Sequence, residues 1–271
     1  MAPILTADSI TRIAEAEARG AVVVNASHGG IYAAYLAAKL GAAAAVFNDA
    51  GVGRDNAGIG GLDYLRALGI AAATVGHDTA RIGDGADMLA RGVITHANEL
   101  AEALGCRPGM ACREAAAALQ TAEPTRHAPP PALEAAFLLI PEPPLVWALD
   151  SASLVAPEHH DAIVITGSHG GLLGGRPETA LKYDVRAALY NDAGIGIDEA
   201  GVSRLPALDQ RGIAAATVAA VSARIGDARS TYEDGVLSRV NARAAALCLA
   251  AGISAREAVA MLRRAFAASA I

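Results

Sequence analysis

Aromatic residues are scarce in this chain, and cysteines are scarcer still. Of its 271 residues, 4% are Phe, Tyr or Trp, and three are Cys. Cys106, Cys112 and Cys248 have neither the even number of a disulfide framework nor the paired spacing of a zinc site. We therefore expect reduced thiols in a cytoplasmic protein whose core is built from small and branched side chains.

Charged residues are also few, at 18%, and no cluster of Lys or Arg interrupts the sequence. The net charge of −6 and the lack of a basic stripe argue against a nucleic-acid partner. A low share of charge indicates that part of the surface is covered by other copies. We therefore expect a homo-oligomer.

Long apolar runs are missing as well. The longest, at 41–47 and 244–253, are too short to cross a bilayer. The N-terminal segment lacks the basic and apolar regions of a signal peptide. We therefore expect neither membrane association nor export.

What the sequence does contain is a repeat of itself at an offset of about 142 residues. The matched pairs are AVVVNASHGG with AIVITGSHGG (21–30, 162–171), FNDAGVG with YNDAGIG (47–53, 190–196), GIAAATV with itself (69–75, 212–218), and ARIGD with itself (80–84, 223–227). Units of this size are too long for a solenoid. We predict an internal tandem duplication with a first repeat at 1–120, a Pro-rich connector at 121–147 and a second repeat at 148–271.

Each repeat alternates short apolar runs with helical stretches, which is typical of βαβ units. The fold class predicted is α/β, with a mainly parallel sheet and two pseudo-symmetric halves, in one sheet or two. The predicted strands are 22–25, 71–75, 163–166 and 214–218, and a further apolar run precedes each Asn-Asp pair. The predicted helices are 32–40, 62–68, 178–187 and 205–210, two more closing each repeat, and one at 133–140 in the connector.

Polar motifs follow the strands, at the edge where parallel sheets bind ligands. Histidine titrates near neutral pH, and a nearby carboxylate can orient it for acid–base or nucleophilic chemistry. A Ser–His pair is expected between the copies or not at all, because neighbours on an extended chain point apart. The candidate catalytic residues are Ser27, His28, Asp49, Ser168, His169 and Asp192.

A second group of strand-end residues is predicted to bind substrate. Glycine N–H groups can hold an oxyanion, and a guanidinium can bind a carboxylate. The residues are Gly29, Gly30, Gly170, Gly171, Asn48, Asn191, Arg81 and Arg224. The structural alternative is that Gly and Asn form turns and that each Arg pairs with an Asp of its own loop; for the arginines we favour this alternative.

The order of Ser-His-Gly after one strand and Asp-Ala after the next resembles the layout of caspase-like peptidases. The resemblance implies an α/β sheet with a histidine at a strand end. In that family the second strand ends in a cysteine nucleophile, whereas Gly51 and Gly194 stand at that place here. The resemblance therefore argues against a cysteine peptidase.

These residues favour an enzyme acting on a small polar or anionic molecule, either an amide or ester hydrolase or a proton-transfer lyase or isomerase. No dinucleotide or P-loop fingerprint is present, so the sequence requires no cofactor. A divalent metal held by His28, His169, Asp49 and Asp192 is one variant. The alternative function is a duplicated binding module for an anionic metabolite without turnover.

Overall fold

The protein, described here by a computed structural model covering residues 1–125 and 128–268, is an α/β protein with two mixed, mostly parallel sheets. The elements of the first part are β1 (Ile4–Ala7), α1 (Glu15–Ala18), β2 (Val22–His28), α2 (Ile31–Lys39), β3 (Ala44–Asn48), α3 (Gly61–Ala67), β4 (Ala71–Val75), α4 (Gly85–Arg91), β5 (Ile94–Ala97), α5 (Glu99–Ala103) and α6 (Cys112–Ala118). Those of the second part are β6 (Ala136–Ile140), β7 (Val146–Leu149), β8 (Ile163–His169), β9 (Ala187–Asn191), α7 (Arg204–Gln210), β10 (Ala214–Val218), α8 (Ala228–Asp234), β11 (Leu237–Val240), α9 (Ala242–Ala246) and α10 (Ala255–Ala268).

The two sheets have the same internal order. The first runs β1-β2-β3-β4-β5, with β5 antiparallel to β4 and the other pairs parallel. The second runs β7-β8-β9-β10-β11 in the same sense and adds β6, antiparallel to β7, at its outer edge. The sequence left open whether the halves form one continuous sheet or two, and the structure has two sheets. We call the parts carrying the first and second sheets the N-half and the C-half.

Both faces of each sheet are covered, which explains the continuous apolar runs of the central strands. In β2, Val22 and Val24 pack into one core cluster while Val23 packs into the other. This alternation follows from the two-residue period of a strand. Each half has two such clusters, and a small fifth cluster, formed by Ala50, Ile82, Ala193, Ala200 and Ile225, joins the halves.

Several predicted elements are confirmed. The strands 71–75 and 214–218 are β4 and β10, and helices lie within a residue or two of the predicted 32–40, 62–68 and 205–210. Strands were also predicted at 22–25 and 163–166, but β2 and β8 continue to His28 and His169. Ser-His therefore belongs to each strand rather than to the turn after it.

Two predicted helices are wrong. Within 178–187 only the end of the 3-10 turn Pro177–Thr179 is helical, and β9 begins at Ala187. The carbonyls of Ala180 and Leu181 accept hydrogen bonds from the side chains of Arg204 and Arg211 instead of from helix N–H groups. At 133–140 the connector forms β6 instead, because its Ala-Phe-Leu-Leu-Ile segment pairs with the edge of β7.

The prediction of two helices closing each repeat is incomplete. The antiparallel strands β5 and β11 precede them, and β1 and β7 were also missed. None of the helices in the described residues has the length and apolar character that a membrane-spanning helix needs.

Candidate functional site

A cavity of about 940 Å³ lies between the two halves, a volume typical of small-molecule sites. Its walls come from both sheets, and it includes the ends of β2 and β8. Among the predicted residues, those lining it are Ser27, His28, Gly30, Ser168, His169 and Arg224. The two repeated Ser-His motifs therefore share one cavity.

Each cavity histidine is held by the backbone two residues further on. The N–H of Gly30 donates to Nδ1 of His28, and the N–H of Gly171 donates to Nδ1 of His169, both at 3.1 Å. A ring nitrogen that accepts a hydrogen bond carries no proton. This assigns both rings as the tautomer with the proton on Nε2.

Burial keeps both imidazoles neutral. It lowers the pKa of His28 to about 4. Burial also lowers the pKa of His169 well below its ordinary value, with further contributions from the charges of Arg204 and His28. At neutral pH each ring thus presents an uncharged Nε2–H donor.

Each histidine also lies against a glycine of the opposite half. A Cβ placed on Gly226 would lie 3.3 Å from Cε1 of His28, and one placed on Gly83 would lie 3.6 Å from Cε1 of His169. Both glycines belong to the repeated Ala-Arg-Ile-Gly-Asp segment and have φ of +83°. The packing across the halves is therefore reciprocal.

The cavity serines are bound to backbone rather than to histidine. Oγ of Ser27 accepts the N–H of Ile10 at 3.0 Å, and Oγ of Ser168 accepts the N–H of Ala152 at 2.9 Å. No Ser–His hydrogen bond forms between these motifs in the described residues. The predicted nucleophile pair is not assembled in this structure.

The aspartates do not orient the cavity histidines as predicted. Oδ1 of Asp49 accepts from the main-chain N–H and Nδ1 of His77, both at 2.9 Å. Asp192 accepts the N–H groups of Gly194 and Ala220. The reason is local: the chain turns sharply after each Asn-Asp pair, with positive φ at the next two residues, and this folds each carboxylate onto its own loop.

The pairing with His77 has electrostatic consequences. The hydrogen bond to Asp49 raises the pKa of His77, against the opposing effect of burial. The same contact lowers the pKa of Asp49, although burial alone raises it. The C-half has Ala220 where the N-half has His77, so this pair occurs once.

The set of two histidines and two aspartates proposed for a divalent metal is consequently not brought together. Both carboxylates are buried in their own loops and neither lines the cavity. Across the described part of the chain, no group of three or more His, Cys, Asp or Glu side chains is placed to hold a metal ion.

Asn48 and Asn191 were predicted to bind substrate, but both are fully buried and tie their own turns to the loop after the next strand. Their Nδ2 groups donate to the carbonyls of Ala80 and Ala223, at 3.2 and 3.1 Å. Their Oδ1 atoms accept from main-chain N–H groups two residues on, each at 2.9 Å. The turn-forming alternative accounts for all these contacts.

The strand-end glycines do not supply free amides for an oxyanion. Gly29 and Gly170 donate to the carbonyls of Asn48 and Asn191, while Gly30 and Gly171 donate to the histidines. A Cβ on Gly170 would lie 2.5 Å from the carbonyl of Gly201. Close backbone packing is therefore what requires glycine there.

The two repeated arginines form ion pairs across the halves. Arg81 contacts Asp198 at 2.9 Å, and Arg224 contacts Asp55 at 3.1 Å and Asp227 at 3.0 Å. The two arginine side chains are 40–44% exposed, so each pair contributes little to stability. The structural alternative for Arg81 and Arg224 agrees with this geometry.

Comparisons with known protein families, curated proteins and solved structures find no match. What the cavity does must therefore be argued from its own chemistry.

Two cavity residues were missed at the sequence level. Burial raises the pKa of Glu134 to about 7, and Asp150 adds to this effect while a hydrogen bond with Ser151 opposes it. Arg204 lines the cavity and is 6% exposed. No sequence pattern in the Pro-rich connector indicates a functional role for Glu134. Arg204 could have been found, because the first repeat has Gly61 at the matching position and the two repeats differ there in charge.

Proposed function

We propose that the protein is an enzyme that moves a proton on a small polar or anionic carbonyl compound, as lyases and isomerases do. The observation that carries the proposal is that one cavity contains a glutamate that is half protonated near neutral pH and two neutral Nε2–H imidazoles. These groups can take up a proton and stabilise the negative charge that forms.

Glu134 is the proposed acid–base group. A general base works best when its pKa lies near the operating pH, and the pKa of Glu134 is about 7. Its side chain lines the cavity beside Ser151, with which it shares a hydrogen bond. We propose that it removes a proton from carbon and returns it later in the cycle.

His28 and His169 are the proposed electrophilic groups. Because Nδ1 of each ring accepts a backbone N–H, Nε2–H is left to donate to a substrate oxygen. A neutral imidazole donor can stabilise an enolate oxygen without losing its own proton. We propose that one or both of these donors bind the carbonyl oxygen.

Amide or ester hydrolysis, the other reaction predicted from the sequence, has less support. A serine nucleophile needs an adjacent base, and the N–H groups of the strand-end glycines would have to be free for the oxyanion. Ser27 and Ser168 instead accept backbone N–H groups, and the four glycine amides have internal partners.

A binding module without turnover is the second candidate. Arg204, buried and without a carboxylate partner in residues 1–125 and 128–268, favours an anionic ligand whether or not chemistry follows. The two functions differ in whether Glu134 acts on a bound compound.

Proton exchange in D₂O tests the proposal. We expect the protein to incorporate deuterium into at least one compound from a panel of 2-oxo, 2-hydroxy and 2-amino acids, followed by proton NMR. Glu134→Gln should slow this exchange by about 100-fold or more, the usual size of a general-base contribution. Glu158→Gln, an exposed glutamate outside the cavity, is the matched control and should not change it.

Equal exchange rates for Glu134→Gln and the unmodified protein would refute the role of Glu134. Saturable binding of a panel compound with no exchange would instead support the binding module.

We also propose that the halves arose by duplication of one unit. Besides the repeated sequence, equivalent hydrogen bonds support this origin: Asn48 to Ala80 with Asn191 to Ala223, and Gly30 to His28 with Gly171 to His169.

A further inference from the structure

A buried guanidinium lies on the C-half wall of the cavity. Arg204 is the first residue of α7, and its side chain is held by the loop that precedes β9. Nε donates to the carbonyl of Gly171 at 2.9 Å and Nη1 donates to that of Ala180 at 2.6 Å. Its Cζ lies 5.2 Å from the ring centre of Tyr190. These contacts fix the orientation of the guanidinium.

The same contacts do not neutralise the charge of Arg204. Its partners are two backbone carbonyls and the ring and hydroxyl of Tyr190, and no Asp or Glu of the described chain forms an ion pair with it. Buried charges in proteins are normally paired with an opposite charge. A guanidinium carries five N–H groups, so these three hydrogen bonds leave capacity for another acceptor.

A second positive charge lies near the first. Arg12, at the end of the 3-10 turn that follows β1, lines the same cavity, and after burial it is among the causes that lower the pKa of Arg204. Arg12 is exposed and has no ion pair within the residues described. Two like charges placed together repel unless an anion lies between them.

This feature occurs on one side of the cavity only. The N-half has Gly61 at the position of Arg204, where a Cβ would lie 2.7 Å from Cβ of Ala34 in α2. In the described part of the C-half no α-helix stands between β8 and β9, whereas the N-half has α2 between β2 and β3. The guanidinium beside His169 therefore has no counterpart at the equivalent position of the N-half.

We propose that Arg204 and Arg12 bind an oxyanion group, a carboxylate or a phosphate, of the ligand that occupies the cavity. The bound group would lie next to His169, whose charged neighbour is Arg204. The identification of this ligand as the substrate rests on the proposed function, and the substrate would then be a carbonyl compound with an anionic end. Anion binding itself depends only on the two arginines.

Calorimetric titration with inorganic phosphate and, separately, with acetate tests the proposal, with NaCl at the same ionic strength as the blank. We expect saturable binding of at least one anion, and the tighter of the two identifies the preferred group. Arg12→Gln removes an exposed side chain without disturbing the core, and it should weaken binding by about fivefold. Arg204→Lys keeps the charge but loses the planar fork, and should weaken it further.

Arg113→Gln is the matched control, because Arg113 is exposed on α6 and lies outside the cavity. Absence of saturable binding to the unmodified protein, or equal affinities for Arg12→Gln and Arg113→Gln, would overturn the proposal. Glu134→Gln should retain anion binding. A variant that loses proton exchange but still binds anions therefore tests only the role of Glu134. A variant that loses anion binding but keeps proton exchange tests only the role of the arginines.

Discussion

The tautomer of the cavity histidines is set by single hydrogen bonds from glycine amides. Nδ1 of His28 and of His169 each accepts such a bond, and burial disfavours the charged ring. Both rings are therefore expected to be uncharged at neutral pH and above. Glu134, whose pKa burial raises to about 7, titrates near neutral pH.

A pH profile of the proton exchange follows from this difference. The carboxylate form of Glu134 is the base, and its pKa is about 7. The rate should therefore fall as the pH drops through about 7 and level off above it, with one ionisation. Deuterium exchange measured from pH 5 to 9 checks this, and a flat profile would contradict it.

Residue chemistry alone did not separate site residues from turn residues. Asn48 and Asp49 have the polar groups of a binding site, yet both are used by the turn that follows β3. The sequence cannot show this, because a turn and a site require the same residue types. His28 and His169 line one cavity, as the hypotheses of a Ser–His pair between the copies and of a shared metal required, because the parallel strands place both motifs at matching edges.

At the scale of elements, the central strands were predictable because short apolar runs between glycines have few other solutions, although β2 and β8 extend past their predicted ends. The segment 178–187 was not, because its alanine and leucine residues suggested a helix. The edge strand β6 escaped prediction because three prolines, Pro141, Pro143 and Pro144, separate it from its partner β7.

A buried asparagine links three elements in each half. Asn98 caps α5 by accepting the N–H of Ala101, accepts the N–H of Ala72 in β4, and donates to the carbonyls of Leu62 and Ile70. Asn241 makes the equivalent contacts in the C-half. Each side chain therefore holds a helix start against the beginning of a strand.

Replacing either asparagine with alanine should lower the free energy of unfolding by about 2–4 kcal/mol, because buried N–H and C=O groups lose their partners. Asn98→Asp keeps the acceptor but turns a carboxylate oxygen towards the carbonyls of Leu62 and Ile70, so it should cost at least as much. Urea unfolding followed by circular dichroism measures the change, with Gln210→Ala, an exposed amide, as control. Values for both alanine variants within 0.5 kcal/mol of the control would show that these contacts are weak.

At the scale of the molecule, the halves meet backbone to backbone. A Cβ on Gly51 would lie 2.9 Å from Cα of Gly194. Arg54 N–H donates to the carbonyl of Ala220, and Ile197 N–H donates to that of His77, both at 2.9 Å. Such close contact leaves little freedom for the halves to shift without opening the cavity.

Gly51→Ala should therefore disturb the whole cavity. We expect a loss of stability larger than that of Gly69→Ala, which has a similar positive φ of +77° but nothing within 4 Å. The control isolates backbone strain, of about 1 kcal/mol, from the clash between halves. Calorimetry measures both, and equal losses would contradict the role of this contact.

The reciprocal packing of each histidine on a glycine of the other half has a consequence for dissection of the protein. A fragment ending in the connector would keep His28 but lose Gly226, and the remaining fragment would keep His169 but lose Gly83. Each piece would also lack one wall of the cavity. The two fragments should therefore bind ligand only when they are mixed. Complementation of the two fragments, rather than expression of either one alone, is the experiment that suits this protein.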